Sequence, residues 1–160
     1  MTTEIGRSAI RSDAVAKTTG AAVFGTDVAL PGMLHGRLLR SPVPAGRIVE
    51  LDLGRVGEAP GVHAVTCAAD LPERRSGLVL MDAPLFAGEF VRFEGEPIAA
   101  VVAETREQAD LALAKAVLRI DEIPAVTDLE EAVAPDAPLV HPEWESFGTP
   151  PGMVWPRSGN

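Results

Sequence analysis

Short blocks of alternating apolar and polar residues follow one another along this chain and read mostly as strands. Ala21 to Asp27 and Met33 to Arg40 have strand character and are separated by Leu30-Pro31-Gly32, whose proline and glycine suit the central positions of a tight turn. Gly36, inside the second block, predicts a bulge or a close backbone approach. The stiff connection Ser41 to Gly46 leads into Ile48 to Leu53, a half-buried strand pattern. GRVGEAPGV predicts a short helical turn stopped by Pro60 and Gly61, and Val62 to Cys67 is the next strand. Met1 to Thr19 is polar and weakly patterned, which predicts an extended arm. Pro72 to Ala87 has no clean period and is either a partner-contacting loop or a merely variable one.

The best-specified stretch begins at Val91. Val91 to Phe93 enters a turn at Glu94-Gly95-Glu96-Pro97, and Ile98 to Ala103 is a short continuous apolar run. Bounded by turn chemistry, such a run is a strand buried on both faces. Thr105 with Gln108 has capping-box spacing, and Ala109, Ala112, Leu113 and Ala116 share one side of the helix that follows. Acidic residues crowd its start, while Lys115 and Arg119 lie at or beyond its end, as the helix dipole prefers. Val117 to Asp121 returns to strand, and Asp128 with Glu131 predicts a second cap opening a short helix through Val133. The tail from His141 carries both tryptophans; Trp144, Phe147 and Trp155 must pack on this domain or on a partner.

Composition narrows the function classes. A chain of 160 residues with 46% apolar and 23% charged residues forms one globular domain. A net charge of −9 supplies no basic stripe for phosphates or anionic membranes. No apolar run reaches the length of a membrane span, and the N-terminus lacks a signal-peptide pattern. Cys67 is alone among small apolar neighbours, which predicts a buried, inert thiol and a reducing cytoplasm. His35, His63 and His141 have no companion at metal-ligand spacing, and no nucleophile elbow or phosphate-binding loop is present. Glu94 with Glu96, and Asp121 with Glu122, are close carboxylate pairs expected to be solvated.

From Gly6 to His141 the order of these pieces resembles the α/β hammerhead domain that opens the molybdopterin-binding large subunit of the xanthine dehydrogenase and aldehyde oxidase family. The matching segments are IGRSAIRSDAVAKTTGAAVFGTDVALPGMLHGRLLRSP, RIVELDLGRVGEAPGVHAVTCAADLP and PLFAGEFVRFEGEPIAAVVAETREQADLALAKAVLRIDEIPAVTDLEEAVAPDAPLVHPE. SPVPAGRI departs from the pattern, with Val43 and Pro44 where many relatives carry a more polar, often histidine-containing stretch.

The resemblance implies an α+β fold, a mixed sheet covered on one side by helices. It implies an arm at 1–19, a hammerhead domain at 20–141 and a Pro/Gly/Trp-rich tail at 142–160. It also implies a non-catalytic part of a molybdenum hydroxylase, an oxidoreductase that oxidises an aldehyde or N-heterocycle with oxygen from water. This chain would then hold no catalytic, cofactor-binding or metal-binding residue. A molybdenum–pyranopterin, [2Fe-2S] clusters and FAD would belong to the assembled enzyme. Its partners would be the molybdopterin-binding polypeptide and iron–sulfur and flavin subunits. The alternative expectation is a free-standing interaction module derived from that domain, without an enzymatic role.

Overall fold

The computed structural model describes residues 6, 8–78, 80–149 and 152. The chain divides into two compact units, Met1–Met33 and Leu34–Asn160.

In the first unit, helix α1 spans Ala14–Thr18, where an extended arm was expected. Local pairing accounts for the difference: the Asp13 carboxylate lies 2.7 Å from the Lys17 ammonium one turn on, and 2.6 Å from Arg11. Lys17 and then Arg11 hold the Asp13 carboxyl below its usual range. The strand expected over Ala21 to Asp27 is replaced by a 3-10 turn at Gly25–Asp27. There the Asp27 carboxylate accepts the Phe24 N–H at 2.9 Å, a short-range bond that competes with strand pairing. The turn at Leu30 to Gly32 forms as expected, with the Met33 N–H donating to the Leu30 carbonyl at 3.0 Å.

In the second unit, the strands are β1 (His35–Arg40), β2 (Gly46–Asp52), β3 (Val62–Cys67), β4 (Arg75–Ser76), β5 (Ala83–Pro84), β6 (Phe90–Val91), β7 (Pro97–Ala103) and β8 (Val117–Glu122). The helices are α2 (Gly54–Gly57), α3 (Arg106–Leu113) and α4 (Leu129–Ala132). The expected α+β class holds, and the sheet resolves into two antiparallel three-stranded sheets, ordered β1-β7-β3 and β6-β2-β8. A two-residue ribbon, β4 with β5, crosses the long loop.

Strand β7 lies between β1 and β3, and both of its faces are covered. Val101 and Ala103 point to one side and meet Val56, Ala59, Ala109 and Ala112 of the helical layer. Ile98, of opposite parity, points to the other side and packs with Val91, Ile48, Leu51, Leu118 and Ile120 around the second sheet. Period-2 alternation therefore lets one strand serve two cores.

Helix α3 closes the first core because its buried positions are alanines, which bring its backbone close to the sheet. Its cap is the expected box: the Thr105 hydroxyl accepts the Gln108 N–H at 3.1 Å, and the Gln108 side chain accepts the Thr105 N–H at 3.0 Å. Arg37 on β1 meets Asp110 on the helix with two contacts, at 2.9 and 3.1 Å. The second cap also forms, with the Asp128 carboxylate accepting from the N–H groups of Glu130 and Glu131.

Strand β2 shows why a loose alternation still folds inward. Ile48 and Leu51, three positions apart, would face opposite sides of a regular strand. The register shift between Ile48 and Glu50 against β8 restores them to one core. Gly36 lies in open space, and the irregularity of β1 falls between Leu39 and Arg40 instead. Gly46 is required by crowding, since a Cβ there would meet the Ile120 side chain and lie 2.9 Å from the Asp121 carbonyl.

Two substitutions test this account. Ile98→Ala should lower stability by about 2–5 kcal/mol in denaturant unfolding, because the cavity opens against both sheets. Thr105→Ala should cost about 0.5–2 kcal/mol, with Thr105→Ser recovering most of it, since the hydroxyl is the capping group.

Candidate functional site

The turn that precedes β7 departs from the expectation of two solvated glutamates. Glu94 is exposed, but Glu96 is buried and its carboxylate accepts the Arg92 N–H at 2.6 Å. Gly95, at φ +84°, makes this reversal possible and donates its N–H to the Ser41 carbonyl at 2.8 Å. The Ser41 N–H donates in return to the Glu96 carbonyl at 2.9 Å. Glu96 is thus a turn brace. The other pair, Asp121 and Glu122, is exposed as expected.

Beside this turn lies an open concavity of about 1100 Å³, bounded by the 71–75 and 84–94 segments and by residues 123–127 and 138–143. Its walls are mainly apolar. Leu85 and Phe93 are 66% and 55% exposed, and Phe90, Ile123, Leu139 and Val140 also show substantial surface. Clustered apolar exposure of this kind is the physical character of a surface that another molecule can cover. Cys67 lies on its margin and is partly exposed, so the expected full burial of the thiol is corrected. Its N–H donates to the Asp70 carboxylate at 2.9 Å, which holds the chain in a 3-10 turn at Ala68–Asp70.

One wall of the concavity carries an ion network. The Glu143 carboxylate accepts from Arg92 at 2.6 Å and from Arg75 at 3.3 Å. The Arg92 side chain is only 15% exposed, and its Nε is buried without a hydrogen-bond partner. Arg75 also donates to the Asp82 carbonyl at 3.0 Å and places its guanidinium 4.9 Å from the Phe147 ring centre. Phe147 is buried, so this aromatic of the tail packs on the domain itself; Trp144 is half-buried, and Trp155 lies outside the described residues.

Burial opposes the charged form of Glu143, but its backbone hydrogen bond and the guanidiniums of Arg92 and Arg75 outweigh that and hold its carboxyl below the usual range. Burial pushes the His141 imidazole below its ordinary value, helped by Arg92 and opposed by Glu143 and Asp82. The two other histidines lie elsewhere. His35 is on β1, and His63 is exposed, 3.6 Å from the Glu104 carboxylate.

Sequence reasoning did not single out Arg75, Arg92 or Glu143. The bonded pairs lie 51 and 68 positions apart, and no local spacing announces them. Among the described residues no three His, Cys, Asp or Glu side chains are grouped to hold a metal ion. The single cysteine cannot supply the thiolates of an iron–sulfur cluster. The arrangement offers surface, shape and a charge-pinned wall.

Comparison with known proteins identifies the fold and its family. The chain is 37% identical over 135 residues to a probable xanthine dehydrogenase polypeptide of Bacillus subtilis (strain 168), covering 84% of this chain and 18% of that one. It is 33% identical over 138 residues to the nicotinate dehydrogenase large molybdopterin subunit of Eubacterium barkeri, covering 86% and 32%. Among solved structures, quinoline 2-oxidoreductase from Pseudomonas putida 86 superposes with a TM-score of 0.72 at 36% identity, covering 82% of this chain and 18% of that one. A Cu,Mo-CO dehydrogenase gives 0.77 at 32% identity, covering 86% and 18%. The chain therefore spans less than a third of the length of these relatives. With residues 19–124 matching its family model, the chain belongs to the aldehyde oxidase and xanthine dehydrogenase a/b hammerhead domain family.

Proposed function

We propose that this chain is the non-catalytic hammerhead part of a molybdenum-dependent hydroxylase or dehydrogenase, and that it acts by docking onto the molybdopterin-binding polypeptide. The observation that carries this reading is the apolar concavity edged by Leu85, Phe90, Phe93, Ile123, Leu139 and Val140. Leaving so many large apolar side chains in water is unfavourable, and burying them against a partner removes that cost. The occupant to which the surface is assigned is the molybdopterin-binding polypeptide, because relatives several times longer carry this same fold within one large polypeptide.

In this reading the hammerhead unit is the 20–141 segment, preceded by the 1–19 arm and followed by a 142–160 tail that leads toward the partner. The chain contributes no catalytic, cofactor-binding or metal-binding residue of its own. The molybdenum–pyranopterin, [2Fe-2S] clusters and FAD belong to the rest of the assembly, which oxidises an aldehyde or N-heterocycle with oxygen from water. No helix among the described residues is long and apolar enough to cross a membrane. The lone, partly exposed Cys67 suits a reducing cytoplasm, where the assembly would work.

Co-expression with a molybdopterin-binding polypeptide of this family tests the proposal. Phe93→Glu should weaken association by about 2 kcal/mol or more, roughly thirtyfold in Kd, while leaving the unfolding midpoint of the isolated chain within about 0.5 kcal/mol of the parent. Co-purification unchanged by Phe93→Glu and by Leu85→Glu together would exclude this face as the docking surface. The chain alone should be colourless and free of molybdenum, and its complex coloured.

A further inference from the structure

The long loop and the tail are joined at three points of different chemistry. The Met81 N–H donates to the Gly148 carbonyl at 3.0 Å. The Glu143 carboxylate bridges Arg75 on β4 and Arg92 beyond β6. Phe147 is wedged between the Arg75 guanidinium and the His141 ring, which it meets edge-on at 5.2 Å and 79°.

His141 stands where the tail enters this arrangement. Its carbonyl accepts the Trp144 N–H at 3.1 Å and starts the 3-10 turn Trp144–Ser146, while its Nδ1 is buried without a hydrogen-bond partner. The charged groups that face the ring are Arg75 and Asp82 from the loop, Arg92 from the β6 exit, and Glu143 from its own segment. The two guanidiniums already share one carboxylate oxygen. A protonated imidazole would add a third cation to a half-buried site.

We propose that loop and tail form one proton-released clasp: neutral His141 keeps residues 141–149 seated on loop residues 75–78 and 80–84, and protonation of His141 lets the two come apart together. The depressed affinity of His141 for a proton in the closed form gives the sign. The opened form binds the proton more strongly, so closure is fully favoured above the ordinary imidazole value of 6.5 and weakens as pH falls through the interval below it. The docking reading enters only in the consequence, because an opened clasp removes one wall of the face offered to the partner.

Amide hydrogen exchange on the full chain, without any partner, decides the matter, so its failure is distinct from failure of the docking reading. Between about pH 7.5 and about pH 5.5, and after correction for intrinsic rates, the amides of Met81, Ser146 and Phe147 should lose protection several-fold, while β7 amides hold theirs. His141→Gln should abolish that pH response, and Glu143→Gln should raise exchange of the same amides at both pH values. The proposal fails if His141→Gln keeps the full response, or if Met81 loosens without Ser146 and Phe147. It also fails if Glu143→Gln leaves exchange unaltered, or if protection is lost equally in β7.

Discussion

Burial of β7 on both faces is the constraint from which the rest of this domain follows. Its hydrogen-bonding edges are taken by β1 and β3, and its side chains are divided between a helical layer and a second sheet. A strand so placed has no solvent-facing positions, which is why it reads as an unbroken apolar run. Everything packed against it must then present small or branched apolar residues at matching height. The alanines of α3 do so on one side, and Ile48, Leu51, Leu118 and Ile120 do so on the other. Neither core cluster contains an aromatic side chain among the described residues. Among the described residues, Phe86 and Phe147 are buried outside both core clusters, while Phe90 and Phe93 border the concavity.

In the docking proposal, that division between an aliphatic centre and an aromatic margin separates stability from recognition. The core is tied in part by short-range devices with local sequence signatures: the Thr105–Gln108 box and the Gly95 turn. The margin is tied by contacts between distant segments, chiefly Glu143 with Arg75 and Arg92. Arg92 belongs to both. Its backbone N–H braces the turn before β7 through Glu96, and its side chain pins the tail through Glu143. A displacement of the tail is therefore felt at the residue whose backbone holds the central strand's entry.

The same distinction explains how far the sequence could be read. Strands β1, β2, β3, β7 and β8, helix α3 and both helix caps follow from periodicity and capping chemistry, because those signals act within a few residues. The first unit misled where a local bond outweighed pattern. Asp13 with Lys17 made a helix of a polar stretch, and Asp27 with Phe24 made a 3-10 turn of an apolar one. Glu96 misled for the opposite reason: adjacency to a turn suggested solvent, whereas a backbone donor four residues earlier gave its carboxylate a buried partner. The wall of the concavity was legible only in part. The aromatic tail and the unpatterned loop were visible as candidates, but that they clasp each other depends on pairings across 51 and 68 positions, beyond any spacing rule.

A domain with a covered core and an uncovered apolar margin is under two opposing demands. If the docking proposal holds, the margin stays hydrated before it is occupied and holds a shape that a partner can fit without first having to order it. The net charge of −9 meets the first demand by keeping the remaining surface well hydrated and mutually repulsive. The Glu143 network meets the second, because a carboxylate shared by two guanidiniums fixes three segments at once, where a purely apolar contact would leave them free to slide. Such a network is a poor source of net stability, since desolvating its charges offsets most of their attraction. Its value lies in geometry. The polar wall makes the apolar concavity a defined surface, and in the docking proposal specificity rests on residues that contribute least to folding.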